Sequence, residues 1–116
     1  MATSEEHVFV GSGESGVYVC GFAGGELGEA RQVFPLEGAS SLEIGPRGKV
    51  LYVSTGKVGL AEPVGEVIAL RVLEGGKLEE LNRVLFDAER FCSLAVSPDR
   101  RVLLGASYGS GVVASF

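Results

Sequence analysis

Apolar and polar residues alternate over short distances along most of the chain, and glycine-rich turns separate the alternating runs. The middle of the sequence gives four runs in order: "SLEI", "KVLYVS", "GEVIALRV" and "KLEELNRVLF". Period-two alternation that is rich in β-branched and aromatic residues is typical of half-buried β-strands. The turns "GPRG" and "EGG" between these runs suit tight antiparallel connections. The pattern therefore predicts four-stranded antiparallel units.

The last of these runs also fits a helix, because Leu78, Leu81, Val84 and Leu85 have helical spacing. The segment that aligns with it, "ELGEARQVFPL", has a glycine inside and a proline near its end. Both residues disfavour a helix. We therefore predict a strand at each of the two places.

Segments of the chain recur at nearly fixed spacing. Residues 24–34 align without a gap with 75–85, which lie 51 positions further on, and residues 40–54 align with 92–106, 52 positions further on. Four-stranded units of this length, repeated in tandem, are typical of β-propeller blades. With the strands of a blade named A to D from the innermost outward, the sequence predicts an all-β fold: a partial β-propeller of about two and a half four-stranded antiparallel blades.

The repeats divide one domain, residues 1–116, into segments. We expect a polar N-terminal tail at 1–6, strands B, C and D of a first blade at 7–36, a complete blade at 40–86, and strands A, B and C of a further blade at 92–116.

The stretch "VFVGSGESGVYV" contains Gly11, Gly13 and Gly16 at the spacing of a dinucleotide-binding loop. Such a loop opens a helix, whose N-terminal amides hold the pyrophosphate. Here the next residues, "VYVCGF", have the pattern of a strand, and the whole stretch aligns with residues 103–114. We therefore predict a turn between two strands, and no cofactor.

Charge and composition exclude several partners. The net charge of −5 disfavours nucleic acid, which needs clustered Lys and Arg, and no apolar run is long enough to span a membrane. The polar start "MATSEEH" lacks a signal-peptide core, so we expect a cytosolic protein. Cys20 and Cys92, with His7 as the single histidine, do not make up a metal site, and we expect two buried free thiols.

Four stretches carry a resemblance to a known family. They are "HVFVGSGESGVYVCGF", "SLEIGPRGKVLYVS", "GEVIALRVLEGGKLEELN" and "SLAVSPDRRVLLGASYGSGVVASF". They resemble the N-terminal blades of the seven-bladed lactonase propellers, a family that includes propeller-type 6-phosphogluconolactonases and carboxymuconate cyclases. The resemblance runs from residue 7 to residue 116, which is about the first third of a full-length member.

At three places the sequence departs from the family's usual residues. Ser107 stands where the family usually has asparagine before a tyrosine, Ser93 stands where histidine is common, and Thr55-Gly56 replaces a frequent Asn-Glu pair. The framework positions match, whereas these polar positions carry smaller groups.

Antiparallel strands bring the B–C loops and the D–A connections to one end of the blades, and the resemblance places the substrate at that end. The candidate substrate-face residues there are Ser12, Glu14, Thr55, Lys57, Glu62, Arg90, Ser93, Ser107 and Tyr108.

The resemblance implies a sugar-lactone hydrolase. Hydrolysis needs a base or a metal to activate water, and donors for the oxyanion. No residue is assigned a catalytic role from spacing, because Ser107 lacks a nucleophile elbow and no histidine follows it. The alternatives are a truncated inactive propeller, a binding or scaffold module, and a muconate cyclase-like isomerase. Because repeats depend on their neighbours, we expect self-association through open blade edges.

Overall fold

The computed structural model describes residues 2–4, 6–56 and 64–115, with the side chains of residues 2–4 left out. Within these residues the chain forms strands and two single-turn 3₁₀-helices, at Pro46–Gly48 and Glu74–Gly76. The twelve described strands are β1 (Ala2–Ser4), β2 (His7–Ser12), β3 (Gly16–Ala23), β4 (Glu26–Leu27), β5 (Arg31–Pro35), β6 (Ser41–Ile44), β7 (Val50–Gly56), β8 (Gly65–Val72), β9 (Leu78–Phe86), β10 (Ser93–Val96), β11 (Leu103–Ser107) and β12 (Val112–Ser115).

The strands form three antiparallel sheets that succeed one another along the chain. Blade 1 has the order β1-β2-β3-β5, with the short β4 also paired to β3; blade 2 has the order β6-β7-β8-β9; and blade 3 has β10-β11-β12. Every pairing between neighbouring strands is antiparallel. The predicted all-β partial propeller is confirmed.

Blade 1 contains a strand that the sequence pattern did not reveal. The sequence predicts a polar tail at residues 1–6, but residues 2–4 form β1. Ala2 pairs with Phe9 and Ser4 with His7. A strand of three residues is too short to show an alternating pattern. Its backbone hydrogen bonds to β2 define it, and it takes the innermost position A of the blade.

The glycine fingerprint lies in the hairpin between β2 and β3, as predicted. Ser12 pairs with Gly16 across the turn, and Gly16 begins the eight-residue strand β3. Gly16 has a φ of 115°, and a Cβ there would collide with the backbone of Phe34 and Leu36. Glycine is needed at this position for the close approach of β5 and not for a phosphate.

The segment with helical spacing is strand β9, as predicted. It pairs with β8 from Gly65–Phe86 to Val72–Leu78, with one irregularity between Ala69 and Leu70. Leu81, Val84 and Leu85 are exposed in this outermost strand, so their spacing does not correspond to a buried helical face.

The blades pack face to face through two apolar clusters. The cluster between blades 2 and 3 is smaller and includes a stacked pair of rings, Phe86 and Phe91, with centroids 4.2 Å apart. A Cβ added to Gly65 would collide with Phe86, and one added to Gly105 with Phe91. The larger cluster, between blades 1 and 2, comprises Phe9, Val17, Val19, Ala39, Leu51, Val53, Ile68 and Leu70.

The two cysteines are both free thiols, but they differ in exposure. Cys20 is buried in β3, whereas Cys92 is exposed. The expectation of two buried thiols is therefore wrong for Cys92. This residue lies in the connection just before β10, the innermost strand of blade 3.

Candidate functional site

The B–C loops and the D–A connections meet at one end of the blades, as antiparallel pairing requires. In blade 1 the amide of Gly38, in the connection to blade 2, donates to the carbonyl of Gly13 in the β2–β3 turn, at 2.8 Å. In blade 3 the amide of Glu89, in the connection from blade 2, donates to Ser110 Oγ at 2.9 Å. Backbone and hydroxyl hydrogen bonds therefore join the two kinds of loop into one surface.

Two of the candidate residues, Ser12 and Glu14, lie in the β2–β3 hairpin. Ser12 Oγ lies 3.3 Å from Ser15 Oγ, which in turn lies 2.8 Å from the hydroxyl of Tyr18. The backbone amide of Glu14 donates to Ser12 Oγ at 3.4 Å, and the Glu14 residue is exposed. The three hydroxyl groups form a short polar chain along the hairpin.

Two further candidates, Thr55 and Ser107, are buried and bonded to backbone. Thr55 Oγ1 donates to the carbonyl of Glu37 at 2.7 Å, and Ser107 Oγ accepts from the amide of Ser110 at 3.3 Å. These hydroxyls fix neighbouring loops at the candidate face. Lys57 and Glu62 lie outside the described residues.

Arg90 and Tyr108 share one cavity of about 350 Å³, which is also lined by Glu89, Cys92 and Gly109. Arg90 is half-buried and forms no ion pair with another residue in the described part of the chain. Tyr108 is 90% exposed, so its ring stands at the rim. The cavity therefore combines a cation, a phenol, a thiol and a carboxylate.

Gly109 determines where the Glu89 side chain lies. A Cβ added to Gly109 would overlap the carboxylate of Glu89. Any residue other than glycine would therefore push this carboxylate away from its place in the wall of the cavity. The choice of glycine here concerns close approach and not an unusual φ.

Ser93 is not brought to this cavity. It lies on β10, opposite Ala106, in a shallow depression of about 120 Å³ on the outer face of blade 3 that also includes Leu104 and Val113. Because successive residues of a strand point to opposite faces, Ser93 at the start of β10 points to this outer face and not toward the Arg90 cavity.

Glu89 and Cys92 line the same cavity as Arg90, although they are absent from the residues predicted from the sequence. The signal that was available is position: residues 87–92 form the whole connection between blades 2 and 3. Because Arg90 is a candidate through its position in a D–A connection, the other polar residues of the same connection are candidates for the same reason.

No metal cluster accompanies these residues. Within the described ranges, no group of three or more His, Cys, Asp or Glu side chains is placed to hold a metal ion. The same ranges contain no helix that is long and apolar enough to cross a membrane.

Ion pairs among the described residues lie away from the cavity, on the outer strands of blade 2. Arg83 lies between Glu66, at 2.9 Å, and Glu80, at 2.5 Å. The hydrogen bond from Arg83 lowers the pKa of the Glu80 carboxyl below its usual value, and the two glutamates raise the pKa of Arg83. This triad joins β8 and β9 at the surface.

Comparison with known proteins agrees with the fold. The model of the family described as "Lactonase, 7-bladed beta-propeller" matches residues 7–116. The chain belongs to the lactonase family of seven-bladed β-propellers. The resemblance inferred from the sequence is confirmed.

A similar solved structure is the periplasmic gluconolactonase PpgL of Pseudomonas aeruginosa, with 25% sequence identity and a TM-score of 0.77. The likeness covers 94% of this chain and 33% of that one, so this lactonase-family chain spans about a third of the length of its structural neighbour. No curated protein sequence matches the chain.

Proposed function

We propose that this lactonase-family chain contributes part of the substrate face of a sugar-lactone hydrolase. The observation that carries the proposal is the cavity at the loop end of the blades, where the guanidinium of Arg90, which forms no ion pair within the described residues, lies with Glu89 and Tyr108. The name of the similar gluconolactonase supports a lactone as substrate.

The residues of the cavity suit ester hydrolysis in a lactone ring. Glu89 takes a proton from water while the water oxygen attacks the lactone carbonyl carbon. Arg90 donates hydrogen bonds to the oxygen that becomes negative in the tetrahedral intermediate. The C–O bond to the ring oxygen then breaks, and this oxygen takes up the proton held by Glu89, which opens the ring to a hydroxy acid and regenerates the Glu89 carboxylate. Tyr108, at the rim, contacts a hydroxyl group of the sugar.

The test measures turnover of glucono-1,5-lactone and its 6-phosphate by the 116-residue chain, with the spontaneous rate subtracted. We expect Arg90→Ala to lower kcat/KM by at least tenfold and Tyr108→Phe to raise KM with little change in kcat. Arg47→Asn is the matched control, because Arg47 is an exposed arginine in the A–B turn of blade 2, at the opposite end of the blades, and asparagine tolerates its left-handed φ of 58°. Equal losses in the Arg47 and Arg90 variants would overturn the assignment of the cavity.

The phosphorylated and unphosphorylated lactones distinguish two forms of this proposal. A phosphate group usually binds several cations, and Arg90 is the one basic residue that lines this cavity in the described part of the chain. We therefore expect the unphosphorylated lactone to be the better substrate. A strong preference for the 6-phosphate would instead require cations from outside the described residues.

A binding module without catalysis is the second candidate, and one observation favours it. The buried hydroxyls of Thr55 and Ser107 are bonded to loop backbone, so these two residues fix the loops of the candidate face, as a binding site requires. Calorimetry with the same lactones separates the two: saturable binding without turnover supports the binding module. Turnover of carboxymuconate in the same assays would favour a muconate cyclase-like isomerase. Location in the cytosol stays a prediction.

A further inference from the structure

A second cavity lies at the opposite end of the blades from Arg90. It has a volume of about 210 Å³ and is lined by β7, β8 and β9 of blade 2 and by β10, β11 and the turn between them in blade 3. Its position at the seam between two blades is typical of small-molecule sites, which favour the junctions of structural units. The cavity shares no residue with the Arg90 site.

The floor of this seam cavity is apolar. Val67 and Leu103 are buried beneath it, and Ala69, Val84 and Val96 line it further out. The room exists because residue 69 is alanine; a longer side chain at this position of β8 would fill the space. Ligand sites generally combine such an apolar lining with a few polar groups that fix orientation.

Those polar groups include two adjacent arginines at the rim. Arg100 and Arg101 both line the cavity, and neither forms an ion pair with another described residue. The nearby Asp99 carboxylate does not line the cavity; its Oδ1 accepts hydrogen bonds from Ser97 Oγ at 2.6 Å and from the backbone amide of Arg101 at 3.1 Å. In contrast, Arg71 and Arg83 on the neighbouring strands are paired with glutamates.

We propose that the seam cavity binds a small monocarboxylate with an apolar, aromatic-sized body. The charge selects an anion, because two unpaired guanidiniums at an apolar cavity favour a carboxylate that forms charge-assisted hydrogen bonds. The floor selects an apolar body, which is buried against valine and leucine side chains. The volume is below the roughly 300–1,000 Å³ of drug-sized sites, so the ligand is a compact acid.

Titration of the ¹⁵N-labelled chain with three probes tests this proposal. Benzoate has both the charge and the apolar body, benzamide lacks the charge, and acetate lacks the body. We expect saturable shifts of the Ala69, Asn82 and Val102 amides with benzoate, and at least tenfold weaker binding of the other two probes. Equal affinity for benzamide, or the absence of saturation with benzoate, would overturn the proposal.

Three variants and one control variant locate the binding site. Arg101→Gln and Arg100→Asn remove the charges, and asparagine tolerates the left-handed φ of 64° at position 100. Each should weaken benzoate binding by at least threefold. Ala69→Met fills the floor and should abolish binding, while Arg71→Gln, on the same strand, should leave it unchanged. Unchanged affinity in the two charge variants would overturn the assignment, and none of these readouts depends on lactone turnover.

Discussion

The side chain of Ser54 joins blade 2 to the connection that leads into blade 3, because its Oγ accepts a hydrogen bond from the amide of Phe91 at 2.7 Å. Both residues are fully buried. The Ser40 hydroxyl lies 2.8 Å from the carbonyl of Phe91 and 3.2 Å from that of Ser54, so polar groups of three chain segments meet at this seam. An isolated blade lacks partners for these groups, and the seam therefore couples the two blades.

Ser54→Ala should lower the free energy of unfolding by about 1–3 kcal/mol, because it removes the buried hydrogen bond that Ser54 Oγ accepts from the Phe91 amide. Urea denaturation followed by circular dichroism measures this change. Ser93→Ala is the matched control, since Ser93 is an exposed serine in a strand of the next blade. If both variants lost the same stability, the Ser54–Phe91 hydrogen bond would not be a special contribution.

The stacked rings of Phe86 and Phe91 explain a glycine in each of two blades. Gly65 faces Phe86 and Gly105 faces Phe91, and neither position has room for a Cβ. Gly105→Ala should destabilise the fold by about 1–3 kcal/mol, the usual cost of overpacking a core. The midpoint of thermal unfolding measures the effect, with Gly21→Ala as control because nothing lies within 4 Å of a Cβ there. A Gly105→Ala midpoint equal to that of the control would show that the ring pair shifts freely.

Local pattern was enough to predict the strands but not the seams between them. Alternation, turns and repeat spacing predict β6, β8 and the hairpin around Gly13, because these elements depend on residues close in sequence. The role of Ser54 depends on Phe91, 37 positions further on, and "YVST" has no feature that indicates a buried acceptor.

The candidate site divides along the same line. The topology predicts that Arg90 and Tyr108 lie at the same end of the blades, because antiparallel pairing alone decides which loops share an end, and the two residues line one cavity there. Sequence could not separate Ser93 from them, since its direction depends on the register of β10 against β11. The exposure of Cys92 likewise depends on how the connection before β10 packs, and the local sequence pattern does not specify this.

The β10–β11 turn offers a pH-dependent test. Hydrogen bonds from Ser97 Oγ, and then from the Arg101 amide, lower the pKa of Asp99 below its ordinary value. The folded state therefore favours the carboxylate: its contribution to stability is present at neutral pH and is lost as the pH falls through the lowered pKa. Ser97→Ala should raise the pKa of Asp99 toward its ordinary value, which ¹³C titration of the side-chain carboxyl measures. An unchanged pKa would mean that the Ser97 hydroxyl does not bond to Asp99 in solution.

The outer face of blade 3 leads to the last prediction. Val113 is 77% exposed and Leu104 43% exposed, on the side of the blade away from blade 2. An apolar sheet face of this kind promotes association, as does the free edge of β12. We expect the 116-residue chain to self-associate at micromolar concentration, and Val113→Glu to shift it toward the monomer in multi-angle light scattering.

Leu85→Glu is the control for that experiment, because Leu85 is 62% exposed but lies on the outermost strand of blade 2. Specific association through the blade 3 face requires that the Val113 variant dissociates while the Leu85 variant keeps the size of the unmodified chain. Equal effects in both variants would indicate nonspecific association through exposed apolar residues. A sharp monomeric peak for the unmodified chain, with a cooperative thermal transition, would contradict the prediction. It would show that the three blades are stable as a monomer with the apolar face exposed to solvent.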